Sequence, residues 1–232
     1  SSDLITGGPM GLFVHDARVL SRWELTIDDG GLEPLSVDSS EPLSATFVTR
    51  ARPRPGRPES TILVTRERVV VDGMRETLRL RNLSQEAAAL TLTVTADADF
   101  ADLFEVKEGH PRPRGRIRSV VDAGRLVVRR DRDGRSRGTR ISATASSGDD
   151  PQLAPGRLRW QVVLSPRGEW SCEILVEALV DGIPVAQMAD RDADSLAAAA
   201  RRYRDWRVGA PVMSSSNAGL NRTLARSLED LG

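Results

Sequence analysis

An alternation of period two, sustained through most of the chain, limits what this sequence can become. Leu90, Leu92 and Val94 alternate with Thr91, Thr93 and Thr95. Leu158, Trp160, Val162 and Leu164 alternate with Arg157, Arg159 and Gln161. Trp170, Cys172, Ile174, Val176 and Ala178 alternate with Ser171, Glu173 and Glu177, and Met74, Leu78 and Leu80 with Arg75, Thr77, Arg79 and Arg81. Successive side chains of a strand point to opposite faces, so each run places one face in a core and the other in water. Strands wet on one side belong to antiparallel sheets rather than to a helix-covered parallel sheet.

The punctuation agrees. Asp72-Gly73 lies between two apolar-rich runs and predicts a hairpin with positive φ at both turn positions. Asp133-Gly134, the Asp29-Gly30-Gly31 run and Ser165-Pro166-Arg167-Gly168 are further turn candidates. Strands recur at roughly 8–12 residues, giving about twelve or thirteen between residues 10 and 182, more than a small sandwich of about seven needs. The expected fold is all-β, a large antiparallel two-sheet sandwich spanning residues 1–188.

After residue 188 the period lengthens. Leu196, Ala199, Ala200, Tyr203 and Trp206 fall on one helical face, with acidic residues leading and arginines closing the segment, as the helix dipole favours. Gly209 and Pro211 end it, so 189–213 reads as a linker helix and connection. Ser214-Ser215-Ser216-Asn217 offers N-caps for a second helix over 214–232, with Leu220, Leu224, Leu228 and Leu231 on one stripe. A short isolated helix is marginal in water, so this stripe predicts a partner surface and the start of a further domain.

Composition narrows the function classes. Lysine plus arginine equals aspartate plus glutamate at 33 each, and Lys107 is the single lysine. A nucleic-acid binder usually carries a net basic excess or a segregated basic face, so the overall charge balance argues against that class. No long apolar run or leader pattern is present, so neither a membrane span nor secretion is expected. The one cysteine, Cys172, excludes an internal disulfide and suits a reducing, cytoplasmic setting. Arg50–Pro58 (RARPRPGRP) reads as an extended basic loop, and Arg125–Arg140 as a solvated basic hairpin, with polyanion contact as the alternative. Neither carries the interleaved aromatics that stack bases.

Two segments hold candidate chemistry. In Asp97–Val106, four carboxylates (Asp97, Asp99, Asp102, Glu105) fall within nine residues at a strand end, and Arg112, Arg114 and Arg116 follow. Crowded carboxylates need partners or solvent, and arginine forks supply both charge and geometry. The cluster is either a salt-bridged strand end or a polar rim that meets a sugar or a partner domain. Neither an EF-hand pattern nor the opposed spacing of a glycosidase acid pair is present, so no metal, cofactor or catalytic residue is expected here. In Gly11–Trp23, His15 and Asp16 lack a nucleophile elbow, and Asp16 is expected to pair with Arg18 or a later arginine. Cys172, Trp23, Trp160 and Trp170 are read as core, and Trp206 as packing the linker helix.

These residues carry a resemblance. GLFVHDARVLSRWEL at 11–25 and ADFADLFEVKEGHPRPRG at 98–115 resemble the two motifs of the N-terminal domain of bacterial glycogen debranching enzyme-like (amylo-α-1,6-glucosidase-like) proteins. NRTLARSLEDLG at 221–232 resembles the first helix of that family's catalytic domain. Ala17 stands where the family has threonine and Lys107 where it has arginine. The resemblance implies a supersandwich joined to an (α/α)6 barrel that supplies the general acid and base of α-glucan hydrolysis. The chain itself is then non-catalytic and buttresses its own barrel. Asp99, Asp102, Glu105, Arg112 and Arg114 are expected to form a polar cluster facing that barrel, with Asp16 and Arg18 as the second part of the surface. The competing readings are a free-standing carbohydrate-binding module with an exposed tryptophan platform, and a purely structural or oligomerising sandwich.

Overall fold

The computed structural model describes residues 5–6, 8–39, 43–53, 60–109, 111 and 115–186, with 201, 205, 208–209, 215–217 and 219–221 beyond them. The chain divides into two compact units, Ser1–Ala189 and Asp190–Gly232. The first holds β1 (Ile5–Thr6), β2 (Leu12–Val14), β3 (Ala17–Leu20), β4 (Arg22–Ile27), β5 (Leu32–Asp38), β6 (Ser44–Ala51), β7 (Ile62–Val70), β8 (Gly73–Asn82) and β9 (Ala88–Asp97). A short helix α1 (Leu103–Lys107) precedes β10 (Arg116–Asp122), β11 (Arg125–Arg132), β12 (Arg135–Ala145), β13 (Gln152–Ala154), β14 (Arg157–Leu164), β15 (Glu169–Val180) and β16 (Ile183–Pro184).

Two antiparallel sheets make the sandwich. The smaller runs β1-β4-β9-β14-β13; the larger runs β10-β11-β12-β15-β8-β7-β6-β5, with β16 beside β15. Their inner faces follow the alternation. Leu90, Leu92 and Val94 of β9, Trp160 and Val162 of β14, and Leu78, Leu80, Ile174 and Val176 of the larger sheet share one buried cluster. Trp23, Trp160, Trp170 and Cys172 all lie in it. Trp160 and Trp170 meet edge to face, with ring centroids 5.9 Å apart.

The turns differ from expectation in two places. At β7–β8 only Asp72 takes a positive φ, 52°, while Gly73 already pairs with Glu177 in the ladder. The β4–β5 connection turns at Asp28 (φ 51°) and Asp29 (φ 60°), one residue earlier than the glycines suggest, because Gly30 pairs back with Ile27. Aspartate tolerates the left-handed region through its short polar side chain. Asp133-Gly134 turns with both residues at positive φ, as a type I′ pair requires. Arg50 and Ala51 are strand residues of β6, not loop, while residues 54–59 lie outside the described set.

Of the second unit, Gly219, Leu220 and Asn221 are helical, and Asn217 Oδ1 accepts from the amides of Gly219 (2.8 Å) and Leu220 (3.1 Å). Leu196, Ala199, Ala200, Tyr203 and Trp206 of the first apolar stripe, and Leu224, Leu228 and Leu231 of the second, lie outside the described residues.

Candidate functional site

The two motif segments lie side by side. β2 and β3 form a tight hairpin turned by His15 (φ 47°) and Asp16 (φ 60°), and Thr139 Oγ1 of β12 donates to the Val19 carbonyl at 2.6 Å to hold it on the larger sheet. Residues 97–103 then run antiparallel to residues 16–21. Ser21 N donates to Asp97 O (2.9 Å), Phe100 N to Arg18 O (3.1 Å), Arg18 N to Ala101 O (2.9 Å) and Leu103 N to Asp16 O (3.0 Å). Ala17 and Asp102 form an isolated bridge.

Arg18 locks this seam. Its side chain is 3% exposed and grips the Asp99 carboxylate with two prongs: Nε to Oδ1 at 3.0 Å, and Nη2 to Oδ2. Nη1 donates to the carbonyls of Gly8 (2.5 Å) and Met10 (3.1 Å). The arginine stem crosses Gly11 so closely that a Cβ there would stand 2.4 Å from Arg18 Cδ and 2.8 Å from Leu20 O. Glycine is required at that position for space, not for a turn.

Each clustered carboxylate has a local task. Asp97 accepts from the Ala98 amide at 2.8 Å, and Asp99 from the Ala101 amide at 3.2 Å as well as from Arg18. Asp102 is the N-cap of α1, accepting from Phe104 N at 2.9 Å, and Glu105 completes a capping box by accepting from Asp102 N at 3.4 Å. Phe100 holds φ at 52°, costly for a bulky residue. Its ring is buried with Ala98 and Val128, the Arg130 guanidinium sits 5.6 Å from the ring centroid, and Arg130 Nη1 donates to its carbonyl at 2.6 Å.

Five expected site residues therefore come together: Asp16, Arg18, Asp99, Asp102 and Glu105. Arg112 and Arg114 lie outside the described residues. The pairing differs from expectation. Arg18 reaches across to Asp99 rather than to Asp16, because β3 carries Arg18 inward while Asp16 sits in the exposed turn. Among the described residues Asp16 has no ion pair; it lines a concavity of about 350 Å³ with His15, Asp102, Glu105, Arg130, Arg132 and Arg137.

Those three arginines were not among the expected site residues, yet a signal was present. A two-residue turn at Asp133-Gly134 fixes the register Arg130↔Arg137 and Arg132↔Arg135, so all four share one face. A second charged group was also missed. Glu76 is fully buried and takes Arg66 Nη2 at 2.8 Å, Arg68 Nη2 at 2.6 Å and Trp23 Nε1 at 3.2 Å. Burial pushes the Glu76 carboxyl up, but the charges and hydrogen bonds of Arg66 and Arg68 outweigh it and hold the group below the usual glutamate range. The phase of β7 announces this trio: Arg66 and Arg68 continue the inward line of Ile62 and Val64. Burial, and then the Glu76 charge, push the Cys172 thiol far up, which removes it as a nucleophile.

No group of three or more metal-ligating side chains occurs among the described residues, and among them no helix is long and apolar enough to cross a membrane.

A large antiparallel sandwich with two distant segments sewn together at one end is thus the class this chain defines. Residues 2–174 match the family described as the N-terminal domain of (some) glycogen debranching enzymes, and the chain belongs to that family. No curated protein matches it. Among solved structures it is similar to a protein described as a kojibiose phosphorylase from the human microbiome, at 8% identity and a TM-score of 0.47, covering 94% of this chain and 28% of that one. It is also similar to a galactose mutarotase-like protein from Clostridium acetobutylicum, at 9% identity and a TM-score of 0.32, covering 64% of this chain and 66% of that one.

Proposed function

We propose that this chain is the non-catalytic N-terminal domain of a glycogen-debranching-like glycoside hydrolase, joined to a helical catalytic domain that it buttresses. Family membership supports the association with glycoside hydrolysis. The observation that carries the reading is the seam between residues 16–21 and 97–103. A buried ion pair and a capped one-turn helix are spent on holding Asp16, Asp102 and Glu105 at a rim, with Arg18 and Asp99 acting as positioning residues beneath them. A rim of fixed carboxylates suits either the polar face of a companion domain or the hydroxyls of an α-glucan at its cleft, and we assign the companion domain as the first partner. The proposed setting is the cytoplasm, where a lone buried thiol stays reduced.

The carbohydrate-module alternative needs exposed tryptophans. Trp23, Trp160 and Trp170 are 0%, 3% and 8% exposed, so they cannot form a platform. The test is hydrolysis of glycogen and maltooligosaccharides by residues 1–232 and by the full-length gene product. Release of glucose by the full-length protein alone supports the proposal. Release by residues 1–232 overturns it.

A further inference from the structure

The far end of the β11–β12 hairpin crowds four arginines onto one face. Arg130 and Arg137 are cross-strand partners, and so are Arg132 and Arg135. The four continue the inward line of Leu126 and Val128, so the face that is core at one end of the hairpin is guanidinium at the other. Directly opposed like charges destabilise an antiparallel ladder. Asp16, Asp102 and Glu105 line the hollow beside His15 together with Arg130, Arg132 and Arg137, but among the described residues no ion pair joins these carboxylates to the three arginines. Arg132 meets only the exposed Asp133, at 3.0 Å. Arg130 and Arg137 donate to neutral carbonyls, those of Phe100 (2.6 Å) and His15 (3.5 Å). Arg135 has no side-chain hydrogen bond or ion pair among the described residues. Burial, and then the charges of Arg137 and Arg132, push the Arg130 guanidinium down, against a smaller opposing pull from Glu105 and Asp99.

The surface is also concave. The 350 Å³ hollow beside His15 and a second of about 350 Å³ toward Arg135 share Arg130, Arg132 and Arg137. Guanidinium forks match the oxygens of a tetrahedral oxyanion two at a time. Polynucleotide binding would want stacking aromatics, and Phe100 is buried beneath the arginine layer. We infer that the Arg130, Arg132, Arg135 and Arg137 face is a binding site for a phosphate group, either free inorganic phosphate or the phosphate of a sugar monoester. The anion bridges the two cross-strand pairs and cancels the repulsion between them.

Titration calorimetry on residues 1–232, at low ionic strength in a chloride buffer, tests this with inorganic phosphate, glucose 6-phosphate and acetate. Phosphate binding at least about tenfold tighter than acetate is expected, weakening as salt rises. Equal affinity for phosphate and glucose 6-phosphate identifies free phosphate as sufficient; a tighter glucose 6-phosphate identifies the ester as the ligand. Arg132 and Arg135 are exposed, so the double variant R132S/R135S should fold. It should melt at or above the parent temperature in chloride and lose the rise in melting temperature that phosphate gives the parent. No heat with either phosphate, acetate binding as tightly as phosphate, or an undiminished response in the double variant would each overturn the inference. Because only residues 1–232 are used, the result is independent of whether a companion domain docks.

Discussion

Arg18 and Asp99, 81 residues apart in sequence, meet in a two-pronged ion pair that joins the hairpin at the start of the chain to the turn after β9. The arginine is buried and the carboxylate three-quarters covered, so water replaces neither partner cheaply. Removing one partner leaves a buried charge, which typically costs about 3–5 kcal/mol. We expect R18A to lower stability by an amount at the low end of that range, since Asp99 keeps some solvent. R18K should recover little of it, because an ammonium cannot fork onto the carboxylate and reach Gly8 and Met10 together. Urea unfolding of the three proteins checks this; a loss within a few tenths of a kcal/mol for R18A would show the pair to be ornamental.

Gly11 is the same seam seen from the other side. A methyl group there collides with the Arg18 stem and with a backbone oxygen that cannot swing away. G11A is therefore expected to destabilise by about 1–3 kcal/mol, the usual range for overpacking. Combined with R18A, which empties the space, the second loss should be smaller than the first. A double-mutant cycle on melting temperature reads the coupling, and strict additivity would contradict the contact.

Glu76 sets the acid limit of the core. Its carboxyl titrates lower in the folded chain than in the unfolded one, so the unfolded state binds the proton more readily. The stabilisation is complete above the ordinary glutamate value of about 4.3 and is lost as pH falls below it, through the depressed folded value. E76Q, by contrast, leaves Arg66 and Arg68 buried without their counter-charge at every pH. We expect it to be destabilised by about 3–5 kcal/mol at neutral pH and to show a flatter pH dependence in the acid range below the ordinary glutamate value of about 4.3. Thermal melts across that interval decide the matter. Parallel pH curves for parent and variant would remove Glu76 from the account.

Cys172 makes a kinetic prediction. Its thiol is buried and its ionisation suppressed, so a disulfide reagent should find it only when the chain unfolds. Labelling at neutral pH is expected to be slow in buffer and stoichiometric within seconds in strong denaturant. Fast labelling of the folded protein would mean that the sheet opens locally around β15.

The alternation of apolar and polar residues made most of the sandwich legible, because half-buried strands write their inner face directly into sequence. Charged residues on the inner face broke the reading. Skipping Glu76 in the line Met74, Leu78, Leu80 hid the carboxylate that Arg66 and Arg68 surround, since a charge is assumed to face water until its partners are known. The site was legible as two motifs but not as one object. Nothing local says that Arg18 will choose Asp99, 81 residues on, over Asp16, two residues back. That choice depends on which way β3 faces. The arginine face of β11–β12 needed only the turn at Asp133-Gly134 and a count outward from it.

In the proposed full-length protein the rim at Asp16, Asp102 and Glu105 lies against a companion domain. Hydrogen exchange, compared between residues 1–232 and the full-length gene product, tests it most directly. We predict added protection at the amides of residues 15–18 and 102–108 in the full-length protein, with exposed Val163 on β14 exchanging alike in both. Equal exchange at 15–18 and 102–108 in the two proteins would contradict it.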